Sequence, residues 1–375
     1  MNERVVRVGI LGEAKSAWQA WAAINSCGMS VTRVGCCDNE RGQQLVKDVR
    51  HALKIADERV PTVCTYAEAV AADDVDIVYI AVPVTARDVW VKACVAHRKH
   101  VLSEKPPATD AEQLRTWIEA LDAQRLFYMD ATAVSHSHRV KEVCAAVRRL
   151  GGPVKHIYAA CSWAACPEFL ATDTRLDPAL EPHGVLGDMG WCCIRYILHI
   201  MDFEMPTEVT GRILRQNEKG GIIAFSGDMK FEVSGVQSVA SIFCSFDTAH
   251  QEVLYVATTE GTLQLDDFVH PMTTRPDALF YEVRNSSRLD VCVSHNESAI
   301  TTHQVPGENA NSVRDTLWRD VGMALHEEDE GESKRLAANI DESRRWATIA
   351  WKTQAVMDRM LESARQTSSG APAAA

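Results

Sequence analysis

In the first 135 residues, short and continuously apolar runs alternate with helix-period segments, and no other feature restricts the fold as much. Val5 to Leu11 and Val31 to Cys37 read as strands. So do Asp76 to Val82, His100 to Ser103 and Leu126 to Met129. Helical patterns follow at Ala14 to Asn25, Asp88 to His97 and Thr109 to Asp122, where Thr109 and Glu112 have capping-box spacing. Strands without a polar face must be covered on both sides, so this order predicts a doubly wound parallel sheet. Such a sheet takes ligands at the carboxyl ends of its strands, where strand order reverses.

The turn after the first strand reads Val8-Gly9-Ile10-Leu11-Gly12-Glu13-Ala14-Lys15-Ser16-Ala17. Against G-x-G-x-x-G it retains Gly12 for the tight turn, with Ala14 and Ala17 at the other two positions and Gly9 inside the strand. Strand before and helix after make this a candidate dinucleotide turn, with Gly9, Gly12 and Ala14 as contacts. The second strand ends Cys36-Cys37-Asp38-Asn39-Glu40-Arg41. Cys37 and Asp38 lie where a ribose hydroxyl is read and Arg41 where a 2′-phosphate would be met, so NAD and NADP both stay open.

Beyond Gly151-Gly152 the pattern changes to longer alternating runs. His156 to Trp163, Gly221 to Ser226, Ser238 to Phe246, Glu252 to Thr258 and Thr262 to Asp266 predict an open, mainly antiparallel sheet. Helices are expected at Ser312 to Leu325 and Glu342 to Ala364, with a solvated acidic loop at Glu327 to Glu332. The expected organisation is a Rossmann domain over 1–135, a substrate and oligomerisation domain over 136–366, and a disordered tail over 367–375. One apolar face of the second sheet would need covering, which predicts a homodimer or higher homo-oligomer.

Thirty-nine Lys and Arg against 51 Asp and Glu leave a net charge of −12, which argues against nucleic acid as partner. No run approaches the roughly 20 apolar residues of a membrane span. The start, Met-Asn-Glu-Arg, leads straight to a strand without a signal peptide, so a cytoplasmic location is expected. The 12 cysteines form no paired Cys-x-x-Cys set, which predicts reduced thiols and no metal site.

Two strings carry a family resemblance: Lys99 to Pro106 (KHVLSEKP) and Gly184 to Arg195 (GVLGDMGWCCIR). With Phe127 to Thr132 (FYMDAT) and Lys352 to Ala364, they resemble the Gfo/Idh/MocA oxidoreductases, in the branch of dimeric dihydrodiol dehydrogenase and plant oxidoreductase-like proteins. The resemblance implies bound NAD(P) and hydride exchange with a small hydroxylated or carbonyl substrate of the sugar, polyol or dihydrodiol class. It places Lys105 beside the nicotinamide and the reacting oxygen, with Glu104 and Pro106 shaping the turn. Asp188 matches the aspartate of the D-x-G-x-(H/Y) motif. A cation near that oxygen stabilises the charge that grows there, and a proton must also reach it.

Two positions depart from the family. The proton donor, Tyr or His four residues after the aspartate, is Cys192. The P-N-x-x-H string is Pro83-Val84-Thr85-Ala86-Arg87. Three readings stand open. One is another acid, with His183, His136 and Tyr128 as candidates, His136 and His138 being equally suited to decorating a helix start. Arg87 could instead pair an anionic substrate. Or the chain could be a catalytically impaired dinucleotide-binding or regulatory protein.

Overall fold

A computed structural model describes residues 4–13, 15–54, 60–270, 277–285, 298–306, 310–330 and 333–369. The chain divides into two units, Met1–His136 with Asn311–Trp351, and Ser137–Ala310 with Lys352–Ala375.

The first unit holds six parallel strands: β1 (Arg7–Leu11), β2 (Ser30–Gly35), β3 (Thr62–Cys64), β4 (Ile77–Ile80), β5 (His100–Ser103) and β6 (Tyr128–Asp130). Their order is β3-β2-β1-β4-β5-β6, the doubly wound dinucleotide-binding arrangement, which reverses between β1 and β4. The connecting helices are α1 (Lys15–Ser26), α2 (Asn39–Leu53), α3 (Tyr66–Ala71), α4 (Arg87–Ala96) and α5 (Ala111–Ala123). All four residues of β4 and of β5 are buried, as sheets covered on both faces require. Val78, Ile80 and Val101 pack with Leu114, Trp117 and Leu121 of α5.

The same core takes in Ala347 and Ala350, and Ser343 Oγ accepts from the Tyr128 amide at 3.1 Å. Residues 311–351 thus pack with the parallel sheet although the sequence places them after the second one. An amphipathic helix declares that one face is buried, not which sheet buries it.

The second unit is built on eight strands: β7 (Val154–Ala164), β8 (Glu208–Gln216), β9 (Ile222–Val233), β10 (Val236–Ser245), β11 (Asp247–Thr258), β12 (Gly261–Asp266), β13 (Asp277–Asn285) and β14 (Ser298–Pro306). Their order is β14-β13-β12-β11-β7-β10-β9-β8, antiparallel throughout except for the β7–β10 pair. Helices α6 (His138–Leu150), α7 (Pro167–Thr172) and α8 (Trp191–Ile200) belong to this unit. All of α8 but His199 is buried, and it packs on β7 and β10. The remaining helices are α9 (Ala310–Ala324) and α10 (Ile340–Ser369).

Three local expectations are corrected. The acidic stretch Glu327 to Glu332 is not a loop up to residue 330: Leu325–Glu330 forms β15, paired antiparallel with β16 (Ser333–Ala338). Buried Leu325 and Ala338 anchor this ribbon, whose charges mask its strand pattern. The cap of α5 is Asp110, which accepts from the Gln113 amide at 2.8 Å, while Gln113 Oε1 accepts from the Thr109 amide and hydroxyl. Glu112 instead pairs with Arg115. The tail expected over 367–375 is helical as far as Ser369, and residues 370–375 lie outside the described residues.

Candidate functional site

At the carboxyl end of β1 the chain turns on Gly12, whose φ of +120° is open to few side chains. A Cβ there would lie 2.8 Å from the Ala81 carbonyl, and the Gly12 amide donates to the Gly35 carbonyl at 3.1 Å. The turn is therefore pinned between β2 and the end of β4, at the strand-order reversal. It feeds α1, whose first-turn amides make a natural seat for a pyrophosphate. Ala14 lies outside the described residues. Gly9 sits within β1, where a Cβ would meet the Val75 methyls at 3.1 and 3.3 Å. Its smallness serves the packing of β1 against Val75.

Asp38 is the N-cap of α2, its Oδ1 accepting from the Glu40 and Arg41 amides at 2.9 and 3.2 Å. That commits one carboxylate oxygen to the helix. Cys37 beside it is exposed. Arg41, 68% exposed, reaches back to Glu13 at 3.6 Å. Glu13 escaped the sequence reading. Its carboxylate is largely buried beside Gly12, and Oε2 has no hydrogen-bond partner among the described residues. Nothing in a single acidic residue after a glycine announces this. Burial and the neighbouring Cys37 and Glu13 push the Tyr66 hydroxyl up.

The string Glu104-Lys105-Pro106-Pro107 leaves the carboxyl end of β5, with Lys105 partly buried. Its surroundings are built by Arg87, which the sequence offered as a partner for an anionic substrate. Arg87 is 3% exposed, and the partners its guanidinium meets are main-chain carbonyls. Nε donates to the Val82 carbonyl at 2.8 Å. Nη1 donates to the carbonyls of Glu104 and Pro106, both at 2.5 Å, and of Pro107 at 3.4 Å. A guanidinium taken from water needs acceptors for its donors, and the nearest carbonyls are those of this turn. The Glu104 carboxylate accepts from the Tyr79 hydroxyl and, at 3.0 Å, from the Lys105 amide. Burial, and then Glu104, hold the Tyr79 hydroxyl well above its ordinary range, so it stays a donor. Pro83 opens the short 3-10 turn Val84–Ala86 before α4.

The alternative acids of this unit are embedded. Tyr128 is 1% exposed, and its hydroxyl shares a 3.0 Å hydrogen bond with Ser103. His136 is equally buried, bonded through Nδ1 to Asp320 at 2.7 Å and stacked on Trp346 with centroids 4.2 Å apart. Both tie elements of the first unit together.

In the second unit, His183, Asp188 and Cys192 share one continuous segment: a turn, a π-helical turn over Leu186–Gly190, then α8. His183 and Cys192 are 2% and 7% exposed, whereas the Asp188 side chain is 29% exposed. Asp188 pairs with Arg175 at 3.5 Å, and Arg175 also holds Asp173 at 3.0 Å. Burial lowers the Arg175 pKa, but Asp188 and Asp173 more than offset it, and the net shift is upward. Arg175 lies 5.9 Å from the Phe169 ring, which meets Trp163 and Phe246 edge-on at 4.9 and 5.3 Å. This group was not foreseen; its members come from β7, α7, the 3-10 turn that follows it, the π-helical turn and the residue after β10, and only the fold joins them. Burial pushes up the thiols of Cys193 in α8 and of Cys161 and Cys244 on the strands it packs against. Among the described residues no cluster suits a metal ion.

A reversing parallel sheet with a glycine turn at the reversal and an appended antiparallel sheet defines a dinucleotide-binding Rossmann protein with a second α+β unit. Residues 6–132 match the model of the Gfo/Idh/MocA oxidoreductase family, NAD-binding Rossmann fold. The match lies within the N-terminal domain. The chain is 25% identical over 289 residues to dTDP-3,4-didehydro-2,6-dideoxy-alpha-D-glucose 3-reductase of Streptomyces antibioticus, covering 76% of this chain and 82% of that protein. It is 29% identical over 153 residues to trans-1,2-dihydrobenzene-1,2-diol dehydrogenase of Xenopus laevis, 40% of this chain and 44% of that one. The fold matches a 3-ketoreductase from Actinomadura kijaniata, solved with NADP and TDP-benzene, at a TM-score of 0.75 and 17% identity, over 96% of this chain and 98% of that one.

Proposed function

We propose that the chain is an NAD(P)-dependent oxidoreductase that moves a hydride between nicotinamide and a carbon of a small hydroxylated or carbonyl substrate of the sugar, polyol or dihydrodiol class. The observation that carries this reading is the pairing, in one sheet, of the Gly12 turn with the braced Glu104-Lys105-Pro106 turn. The cradle fits a dinucleotide. Gly12 leaves no side chain in the way, α1 offers its amides, and the buried Glu13 carboxylate oxygen is an acceptor suited to a ribose hydroxyl. Bound nicotinamide supplies the hydride acceptor or donor. Lys105 supplies the cation that stabilises charge on the substrate oxygen. In the second unit, Asp188 keeps the carboxylate role implied for it, with Arg175 holding its orientation. His183 and Cys192 are the candidates for moving the proton.

Cofactor choice between NAD and NADP stays undecided. Asp38 retains one carboxylate oxygen for a ribose hydroxyl, and Arg41 is the cation available to a 2′-phosphate. We further assign oligomerisation to the outer face of the eight-stranded sheet. There, Val239, Phe243, Tyr158 and Tyr255 share one side at registered positions, and Val239 is 46% exposed. The described cysteines are free thiols, which suits the cytoplasm proposed as its location. No helix among the described residues is long and apolar enough to cross a membrane.

The test is absorbance at 340 nm with both cofactors against a panel of sugars, polyols, dihydrodiols and their carbonyl counterparts. Turnover on a member of the panel is the expected result. Binding of NADPH or NADH, read as quenching of the nine tryptophans, with no turnover on any member would favour a dinucleotide-binding regulator instead.

A further inference from the structure

Arg87 occupies the fifth position of the string where the family carries a neutral residue, and its side chain does something a neutral side chain of that length cannot. It bridges two strand ends. Nε holds the Val82 carbonyl just beyond β4, while Nη1 gathers the carbonyls of Glu104, Pro106 and Pro107 just beyond β5. Pro106 and Pro107 have no amide hydrogen, so this stretch cannot be fixed by donating backbone bonds of its own. Its carbonyls are what a clamp can grip. From the other side, the Tyr79 hydroxyl donates to the Glu104 carboxylate, which also accepts from the Lys105 amide. Tyr79 is itself buried, 2% exposed, and packed edge-on against Trp318 with centroids 5.8 Å apart. Lys105 thus sits between two gripped points, the main chain held by Arg87 and the preceding side chain held by Tyr79.

We propose that Arg87 and Tyr79 are positioning residues that fix the backbone of the Glu104–Pro107 turn, and through it the direction of the Lys105 ammonium. The inference rests on the oxidoreductase reading of Lys105. Arg87 acts through geometry, because a guanidinium reaches several acceptors in one plane. A lysine at 87 offers one ammonium and loses the span between Val82 and Pro106. Tyr79 acts through a single hydrogen bond, so Tyr79→Phe removes it while leaving ring packing in place.

The experiment compares Arg87→Lys, Arg87→Met and Tyr79→Phe with wild type. Far-UV circular dichroism first establishes that each variant is folded. Tyr79→Phe is the least disruptive and carries the test should the Arg87 variants fail to fold. Steady-state kinetics then separate kcat from KM, tryptophan quenching gives cofactor Kd, and the pH dependence of kcat is recorded. In parallel, Lys105 is labelled with pyridoxal 5′-phosphate and borohydride, and its labelling rate is read by peptide mass mapping. The expected result is a 10- to 100-fold fall in kcat for Arg87→Lys and Arg87→Met and a smaller one for Tyr79→Phe. Cofactor Kd stays within threefold, the pH profile shifts, and the Lys105 labelling rate changes. Folded variants with wild-type kcat, pH profile and Lys105 labelling overturn the proposal. Absence of turnover in the wild type overturns the oxidoreductase reading instead. Labelling then still decides the brace, because a Lys105 rate unchanged in all three variants refutes it and an altered rate supports it.

Discussion

Single residues carry the chemistry, and two of them can be tested by simple replacement. Lys105→Met should lower kcat by about 100-fold or more while leaving cofactor Kd nearly unchanged, since one charged group beside a developing oxyanion contributes on that scale. Steady-state kinetics with fluorescence titration check it. Gly12→Ala puts a methyl 2.8 Å from the Ala81 carbonyl at a φ of +120°. It should lower stability by about 1–3 kcal/mol and abolish tight dinucleotide binding, measured by urea unfolding and by tryptophan quenching. At this scale Gly12 and the Glu104-Lys105-Pro106 string were legible in the sequence, because turns and motifs are local. Arg87 was legible as a departure but not in its role. Apart from the nearby Val82 carbonyl, the carbonyls it grips arrive from 17 to 20 positions further on.

At the level of elements, caps and cross-links decide how strand ends are held. Asp38 closes the N-terminus of α2, so Asp38→Ala should cost about 1 kcal/mol in unfolding free energy in the absence of cofactor. His100 in β5 joins three elements: Nδ1 accepts from the Phe127 amide at 3.0 Å, and Nε2–H donates to the Leu336 carbonyl at 3.3 Å. Burial, offset in part by that carbonyl, lowers its pKa from 6.5 to about 4. The folded ring stays neutral while the unfolded one takes up a proton below its ordinary value. The unfolded state therefore binds more protons between about pH 4 and 6.5, and stability rises with pH across that window. The linkage is about 3 kcal/mol in all. Urea midpoints measured from pH 4 to 7 should climb, and His100→Asn, which keeps an acceptor for the Phe127 amide, should flatten the climb. Elements with strong periodicity, such as β5 and α4, were readable from pattern. The β15–β16 ribbon was not, since its six registered pairs come from the backbone ladder and not from apolar alternation.

For the whole molecule, the question is what the eight-stranded sheet faces. Ala240, Ile242 and Cys244 point to its buried side, while Val239 and Phe243 alternate to the other beside Tyr158. If that face joins two copies, the wild type sediments as a dimer at micromolar concentration, and Val239→Glu with Phe243→Glu yields a folded monomer. A wild-type monomer would remove the assignment. The division of the chain also belongs to this scale, since the unit of the parallel sheet closes with residues from beyond the second sheet.

By itself the sequence determined that a parallel α/β sheet comes first and an alternating sheet follows, and it marked the turns where glycine and lysine matter. Those properties rest on periodicity and on backbone freedom, which act over a few residues. Only the tertiary structure decided that Arg87 is buried against backbone carbonyls, that Glu13 keeps a buried oxygen beside the glycine turn, and that Arg175 meets Asp188. Each of these depends on which atoms solvent no longer reaches. Burial is a property of the assembled chain, not of any stretch within it.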